Sequence, residues 1–409
     1  MLRAQPLLLT LAWRNLWRHR GRTAAILFAL ALGIWSMVAL AALSRGSLEG
    51  QLQKAIGNLN GHIQIHARGY RDDPAIDHRM PAPDAALATA LTDPSVRVWA
   101  GRVRVPAVIA SERESAGVTL VGIEPQREQG LSFIGTAVTD GRYLESPGDT
   151  GLLLGRKLAE RLETALGRRV VVMSQDVKNQ VGDRGFRVVG IFDAEPEAIE
   201  TAFVFVGRAT AQEMLGMGDT LSEISLRSDD RNRLEVPLST LRTVAPSLDI
   251  EPWTVVEPLL TLTEKIVNVI LVIWYAIVFA AMSFGLVNTL LMAVFERTRE
   301  FGLFQALGMP PRHILGQVLV ESLILLAIAL VIGNLGALAT VHALRDGLDL
   351  SAFAEGMEYF GVSPIIYPAL SVGDVTMANT LVAVLGLVAS LYPAWRAARH
   401  VPIEAITRV

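Results

Sequence analysis

The stretch Phe295-Glu-Arg-Thr-Arg-Glu-Phe-Gly-Leu-Phe-Gln-Ala-Leu-Gly-Met-Pro-Pro-Arg-His313 is a short charged segment set between two long apolar runs. No residue from Ile266 to Phe295 carries a charge, and from Ile314 to Leu344 Glu321 alone breaks the pattern. A chain that leaves a bilayer, forms a short helix and re-enters presents that helix to water. The rest of the sequence offers no site of its own that would use the helix, so it is expected to serve a partner.

Of the 409 residues 51% are hydrophobic and 19% charged, and the apolar residues are clustered. About 20 apolar helical residues cross a ~30 Å hydrocarbon core. Four segments qualify: Ala24–Ser44, Ile266–Phe295, Ile314–Leu344 and Val375–Trp395. In hydrocarbon every backbone polar group must be paired within the segment, so these are helices. The second and third exceed one crossing and should tilt or extend into water as stalks.

Lys and Arg near membrane ends stay cytoplasmic. Arg3, Arg14, Arg18, Arg20 and Arg22 precede the first span; Arg297, Arg299 and Arg312 lie between the second and third; Arg396, Arg399 and Arg408 follow the fourth. The segment Asp346–Asp374 has no Lys or Arg but several carboxylates. Both termini are therefore expected in the cytoplasm, in a multi-pass membrane protein. A cleaved signal peptide over 24–44 is the competing reading, but the apolar stretch is long for one and no clear A-x-A site follows. The chain has no Cys, which excludes disulfides, thiolate metal sites and Cys nucleophiles. Its net charge of −3 gives no reason to expect nucleic acid.

Residues 1–23, with Trp13, Trp17 and the arginines, read as an amphipathic helix in the membrane interface, against the alternative of a merely basic flank. Residues 45–265 read as a folded periplasmic α+β domain. Strand patterns occur at His62–His66, Val96–Ala110, Val118–Ile123, Arg169–Ser174, Phe186–Phe192, Ala202–Val206 and Glu223–Leu226. Helical patterns occur at Arg156–Leu166, Arg208–Leu215 and Arg233–Val244. The layout is thus a four-helix membrane protein: TM1 24–44, TM2 with its stalk 266–295, a cytoplasmic helix 296–313, TM3 314–345, a short periplasmic loop 346–374, TM4 375–395 and a cytoplasmic tail 396–409.

No G-x-x-x-x-G-K-[ST] loop is present to cradle ATP, and no H-E-x-x-H. His62 and His66 share one face of a predicted strand without an evident third ligand; packing histidines are the simpler reading. The chain is expected to be non-catalytic, with no cofactor of its own. On the helix 296–307, Phe301, Leu303, Phe304 and Leu307 form a broad apolar stripe flanked by Glu296, Arg297, Arg299 and Glu300. Gly308 suits a left-handed cap, and Pro310-Pro311 prevents continuation. Such a stripe fits a partner's groove; packing on the ends of the chain's own membrane helices is the alternative.

Glu296-Arg297-x-x-Glu300-Phe301-Gly302-x-x-x-Ala306-Leu307-Gly308, with Glu321 beyond, resembles the coupling-helix segment of FtsX/MacB-type ABC transporter permeases. Leu11-Ala-Trp-Arg-Asn-Leu-Trp-Arg-His-Arg-Gly-Arg22 is similar to that family's N-terminal segment. Gly117-Val-Thr-Leu-Val-Gly-Ile-Glu-Pro125, Gly141-Arg142-Tyr143-Leu144 and Leu154-Gly155-x-x-Leu158-Ala159 resemble its periplasmic core domain. Tyr392-Pro-Ala-Trp-Arg-Ala-Ala398 followed by Pro402-x-Glu404-Ala405 resembles its ending. Gly61-His-Ile-Gln-Ile-His66 and the layout look most like the lipoprotein-releasing (LolC/LolE-type) branch. MacB carries its ATPase ahead of the first span, where only 23 residues stand here, so a separate ATPase is expected.

The resemblance implies a permease pair, of identical or sister subunits, on a cytoplasmic ABC ATPase dimer that binds ATP and Mg. It implies ATPase docking through Glu296, Arg297, Arg299, Glu300, Phe301, Leu303, Phe304, Leu307 and Gly308. Motion relayed outward would release a lipoprotein or another amphiphile from the outer leaflet. Ala29-x-x-x-Gly33 and Ala281-x-x-x-Gly285 would allow close helix packing in the dimer. Glu321 is costly inside a span unless paired, and contact with the cytoplasmic rim or Arg312 is expected. The loop carrying Asp176, Lys178, Asp183 and Arg184 could dock a periplasmic carrier or adaptor, with a plain solvated hairpin tip as the alternative. An FtsX-like relay controlling a periplasmic hydrolase, MacB-like export of a peptide or drug, and a membrane-anchored periplasmic enzyme are the other function classes.

Overall fold

The computed structural model describes residues 5–195, 197–230, 233–353 and 365–398; the Pro402–Ala405 motif lies outside them. By contact density the chain divides into two compact units, one of residues 1–50 with 263–409 and one of residues 51–262.

The membrane unit is built on four helices long and apolar enough to cross a bilayer: Arg20–Ala55, Pro258–Glu296, Pro311–Ala343 and Val372–Ala398. Each begins before the apolar segment marked in the sequence, and all but the third, which stops at Ala343, run past its far end. Hydropathy finds the part that tolerates hydrocarbon, whereas a helix propagates until a breaker stops it. The 296–313 region is correspondingly not one helix. Glu296 ends the second span, Thr298–Ala306 is a separate short helix, and Pro311 already starts the third span. A further helix, Gln5–Leu16, precedes the first span.

Leu30, Ile34, Met37, Tyr275, Met282, Leu286, Leu325, Ala329 and Val382 share the membrane unit's core. Small residues set the approach of the helices. A Cβ on Gly333 would lie 2.7 Å from Ile34 Cβ and 2.8 Å from the Ala31 carbonyl, so the first and third spans touch through backbone. Polar pairs join spans as well: Trp35 Nε1 donates to Thr340 Oγ1 at 2.9 Å, and Asn334 Nδ2 donates to Asn379 Oδ1 at 2.8 Å. Arg45 grips Asp374 with both Nε and Nη2, at 2.7 and 3.0 Å.

The second unit is α+β. Its strands are β1 (Ile63–Ala67), β2 (Met80–Pro81), β3 (Val96–Ala110), β4 (Ser115–Ile123), β5 (Val138–Gly141), β6 (Gly151–Gly155), β7 (Arg169–Gln175), β8 (Val181–Phe192), β9 (Phe203–Gly207), β10 (Thr220–Leu221), β11 (Glu223–Ser228) and β12 (Leu248–Pro252). Ten of them form one mixed sheet in the order β12-β1-β11-β3-β4-β9-β6-β8-β5, with β7 bridging β3 and β8. β4/β9 and β6/β8 are parallel and the other pairs antiparallel. Side chains alternate across a strand, so the sheet carries a core on each face. Leu152 and Leu154 of β6 join Val103, Leu120, Val172 and Val206 on one side. Leu153 joins Val121, Phe192 and Phe205 on the other. Helix Arg208–Leu215, ended by Gly216 in the left-handed region, covers the first core.

Candidate functional site

The charged turn between the second and third spans is built from a helix break. Arg297 leaves helical geometry between Glu296 and Thr298, and its side chain turns back toward the third span. Its Nη1 donates to Glu321 Oε1 at 2.9 Å, its Nε to Glu300 Oε2 at 3.2 Å, and its guanidinium lies 5.0 Å from the Phe301 ring centre. Glu321 also accepts from Asn15 Nδ2 at 2.8 Å. The expected contact with Arg312 is replaced by these two, because Arg312 is exposed while Arg297 is directed inward. The N-terminal segment supplies two more cations. Arg18 Nη1 meets Glu300 Oε1 at 2.6 Å, and Arg22 forms a bidentate pair with Glu296 at 2.6 and 2.7 Å. Arg18, with Arg297 beside it, holds the Glu300 carboxyl below its usual range despite partial burial.

The short helix stops as the sequence suggests. Gly308 sits at φ +93°, where its N–H donates to the Gln305 carbonyl and that of Met309 to the Phe304 carbonyl, the paired bonds of a Schellman cap. The apolar stripe, however, is divided. Phe301 is fully buried against Val294, Ile314, Val318, Ala394 and Ala397, with Phe304 partly buried beside it. Phe301 is therefore a packing residue, and Phe304 packs in part against the same cluster. Leu303 and Leu307 are 55% and 78% exposed. Arg299, Leu303, Ala306 and Leu307 are all exposed, and their spacing of four, three and one puts them on one helical face. Gly308 is exposed beside them, whereas Glu296, Arg297 and Glu300 are engaged by internal partners.

The small-residue motifs separate in the same way. Gly33 is consumed within the chain: a Cβ there would fall 2.3 Å from Met282 Sδ. Ala29, Ala281 and Gly285 are exposed, and among the described residues nothing approaches Gly285. The hairpin of β7 and β8 places its four charges unequally. The Asp176 carboxylate accepts from the N–H groups of Lys178 and Gln180 at 2.8 Å each, closing the turn. Arg184 pairs with Glu213 at 2.7 Å, and Lys178 and Asp183 are exposed. His62 Nδ1 accepts from the Ser228 N–H at 3.0 Å, and His66 is bonded to Gln64 at 3.0 Å. Both histidines are buried within the sheet.

One cluster was not foreseen from the sequence. Arg102, Glu128 and Glu223 are all completely buried. Arg102 holds Glu128 through Nη2 and Nε at 2.5 and 3.1 Å, Glu223 through Nη1 at 2.9 Å, and the Leu59 carbonyl as well. Arg104 approaches the second oxygen of Glu223 at 3.4 Å. Burial pushes the Glu223 carboxyl up, but Arg104 and Arg102 together bring it below its usual range.

Residues 23–236, a little over half of the chain, match the family of the MacB-like periplasmic core domain, and residues 272–402 match the FtsX-like permease C-terminal family. The lipoprotein-releasing system transmembrane protein LolC of Xylella fastidiosa is 24% identical over 397 residues, covering 93% of this chain and 92% of that protein. LolE of Haemophilus influenzae is 24% identical over 426 residues, covering 96% and 98%. The macrolide export ATP-binding/permease protein MacB of Agrobacterium fabrum is 24% identical over 416 residues; it is matched by 98% of this chain, which spans 60% of its length. Among solved structures, the periplasmic region of MacB from Actinobacillus actinomycetemcomitans aligns with 52% of this chain and 98% of its own, at 14% identity and a TM-score of 0.36. Four membrane helices, a short charged helix between the second and third, and a separate α+β unit agree with both family matches: the chain belongs to the FtsX-like, MacB-type ABC transporter permeases.

Proposed function

We propose that this chain is the permease subunit of a lipoprotein-releasing transporter. A separate ATPase docks on the short helix Thr298–Ala306, and ATP-driven movement there is relayed through the spans to drive a lipid-anchored protein from the outer leaflet of the bacterial inner membrane. The observation that carries the reading is the exposed face Arg299–Leu303–Ala306–Leu307. It is an apolar surface with a charged edge on a helix otherwise clamped to its own chain. Such coupling requires that the partner bias two arrangements of this helix.

The similarity to lipoprotein-releasing transmembrane proteins supports the release branch. The chain spans 92% of the Xylella LolC and 98% of the Haemophilus LolE, but 58% and 60% of relatives named as combined ATP-binding/permease proteins. The arginines at both termini and at the short helix support cytoplasmic placement of all three. On this reading Ala29, Ala281 and Gly285 face lipid or a second permease, and the exposed Lys178 and Asp183 of the β7–β8 hairpin meet a periplasmic carrier. ATP and Mg belong to the partner chain. The test is a mild-detergent pull-down of the full chain, with copurifying proteins and lipids identified by mass spectrometry. An ATPase together with acylated proteins is expected. An ATPase with a periplasmic hydrolase and no acylated cargo would refute lipoprotein release in favour of a signal relay. Absence of any ATPase would refute the docking assignment.

A further inference from the structure

The short helix Thr298–Ala306 is held by contacts of two kinds. The inner set centres on Glu321, whose side chain is 10% exposed against 13% for Arg297. It gathers bonds from Arg297, from Asn15 and, at 3.4 Å, from Gln317. Removing Arg297 would strand a carboxylate at the edge of hydrocarbon, where ionised groups persist only when paired. The outer set is wet: Arg18 and Glu300 are 58% and 38% exposed, Arg22 and Glu296 31% and 33%. Pairs of that exposure exchange readily with water. Between the two sets lies a crevice of about 60 Å³, bounded by Asn15, Arg18, Arg22, Glu296, Arg297 and Glu321. That is room for more than one water, enough to let an outer pair part without leaving a void.

The N-terminal segment is itself anchored. Leu16 packs in the membrane core, and Thr23 Oγ1 donates to the Leu16 carbonyl at 2.6 Å across the turn that carries Arg18. It is therefore a fixed frame against which the short helix is seated, and the break at Arg297 is the joint about which that helix can turn. We propose that Asn15, Arg18 and Arg22 are positioning residues for the helix Thr298–Ala306, with Glu321 as its fixed pivot and the Arg18–Glu300 and Arg22–Glu296 pairs as releasable stops. The proposal rests on reading this helix as the partner-docking element, but the seating it describes belongs to the permease alone.

The test is amide hydrogen exchange on the full-length chain in lipid nanodiscs, without any ATPase, alongside thermal unfolding. Arg18→Ala combined with Arg22→Ala should speed exchange of the 298–306 amides about tenfold, or ~1.4 kcal/mol of local opening. Exchange in the third span and the melting temperature should not move. Exchanging the charges of one pair, Arg22→Glu with Glu296→Arg, should restore the rate that Arg22→Glu alone raises, with Glu300 left in place to hold Arg297. Glu321→Ala should both speed exchange and lower the melting temperature, as loss of the pivot requires. Parent-like exchange in the double alanine variant, or failure of the charge exchange to restore it in a chain that melts normally, would overturn the proposal. Loss of ATPase capture by the parent protein would count against the docking reading and leave this result standing.

Discussion

Replacing Arg102 by Met should unbalance the α+β unit in a way that pH exposes. In the parent, two buried carboxylates share one fully buried guanidinium, with Arg104 at 3.4 Å from the second oxygen of Glu223. Met keeps the volume and the apolar stem but leaves Glu128 and Glu223 buried without their principal countercharge. Breaking a buried pair in this manner costs about 3–5 kcal/mol. With a urea slope of ~3 kcal/mol per molar for a unit of this size, the midpoint should fall by about 1–1.7 M. Residues 51–262, the compact unit, are the material for the assay. The sign of the pH dependence is the sharper readout. In the parent, Glu223 is held below its usual range, so its contribution is present above the unfolded carboxylate pKa and is lost as pH falls through the lower folded value. In Arg102→Met the desolvated Glu223 carboxylate keeps only the more distant Arg104 and prefers to be neutral, which raises its folded pKa. Acidification from pH 7 to 5 should then stabilise the variant while leaving the parent nearly unchanged. Adding Glu128→Gln and Glu223→Gln should remove that slope. A variant with the parent's midpoint, or with the parent's pH profile, would refute the view that Arg102 neutralises a desolvated carboxylate pair.

Leu303→Asp with Leu307→Asp should abolish capture of the ATPase while leaving the chain in the membrane at its parent melting temperature, because both side chains are exposed; unchanged capture would sink the docking face. Gly333→Val should cost about 1–3 kcal/mol by forcing the first and third spans apart, read as a lower melting temperature in detergent. Gly285→Val, at an open position, should leave that temperature unchanged and weaken only permease pairing; equal damage from both would contradict the assigned packing.

The parts of this fold that were legible are those whose signal is local. A span announces itself because hydrocarbon demands about 20 apolar residues in succession. β3 and the helix Arg208–Leu215 were read with the bounds they have, since alternation and helical period are local properties. β6 was missed because Gly151-Leu-Leu-Leu-Gly155 is covered on both faces and so cannot alternate. β12 was missed because Leu248-Asp-Ile-Glu-Pro252 is a half-buried edge strand ending at Pro. At the site, the helix and its glycine cap were legible, but not which half of the apolar stripe turns inward. That choice is made by Ile314, Val318, Ala394 and Ala397, which come later in the chain. The clamp left a fainter trace. Arg18 and Arg22 repeat the four-residue spacing of Glu296 and Glu300, a complementarity visible only once the two segments are known to meet.

The second span poses a problem of length that leads to a test of its own. Its uncharged run, Ile266–Phe295, is 30 residues, or about 45 Å of helix at 1.5 Å per residue. A tilt of 40°, near the limit seen for membrane helices, still leaves about 34 Å to be fitted into a ~30 Å core. At smaller tilts the surplus is larger, so part of the run must stand outside the hydrocarbon. The paired Glu296 fixes the polar end, since Arg22 meets it there in water-accessible geometry. Counting about 20 residues back from Phe295 puts the opposite boundary near Ala276 at small tilt. Ile266 and Ile270, both exposed on the membrane unit, then lie beyond the core, whereas Phe284 lies within it. The chain's lack of cysteine makes this measurable, because each position can be replaced by a single Cys in an otherwise thiol-free protein. A membrane-impermeant maleimide applied to intact spheroplasts should label Ile266→Cys and Ile270→Cys and spare Phe284→Cys. Protection at 266 and 270 combined with labelling of Met292→Cys in opened vesicles would place the core higher on the helix. The surplus would then lie on the side of the short charged helix, and the clamp could not sit at the membrane surface.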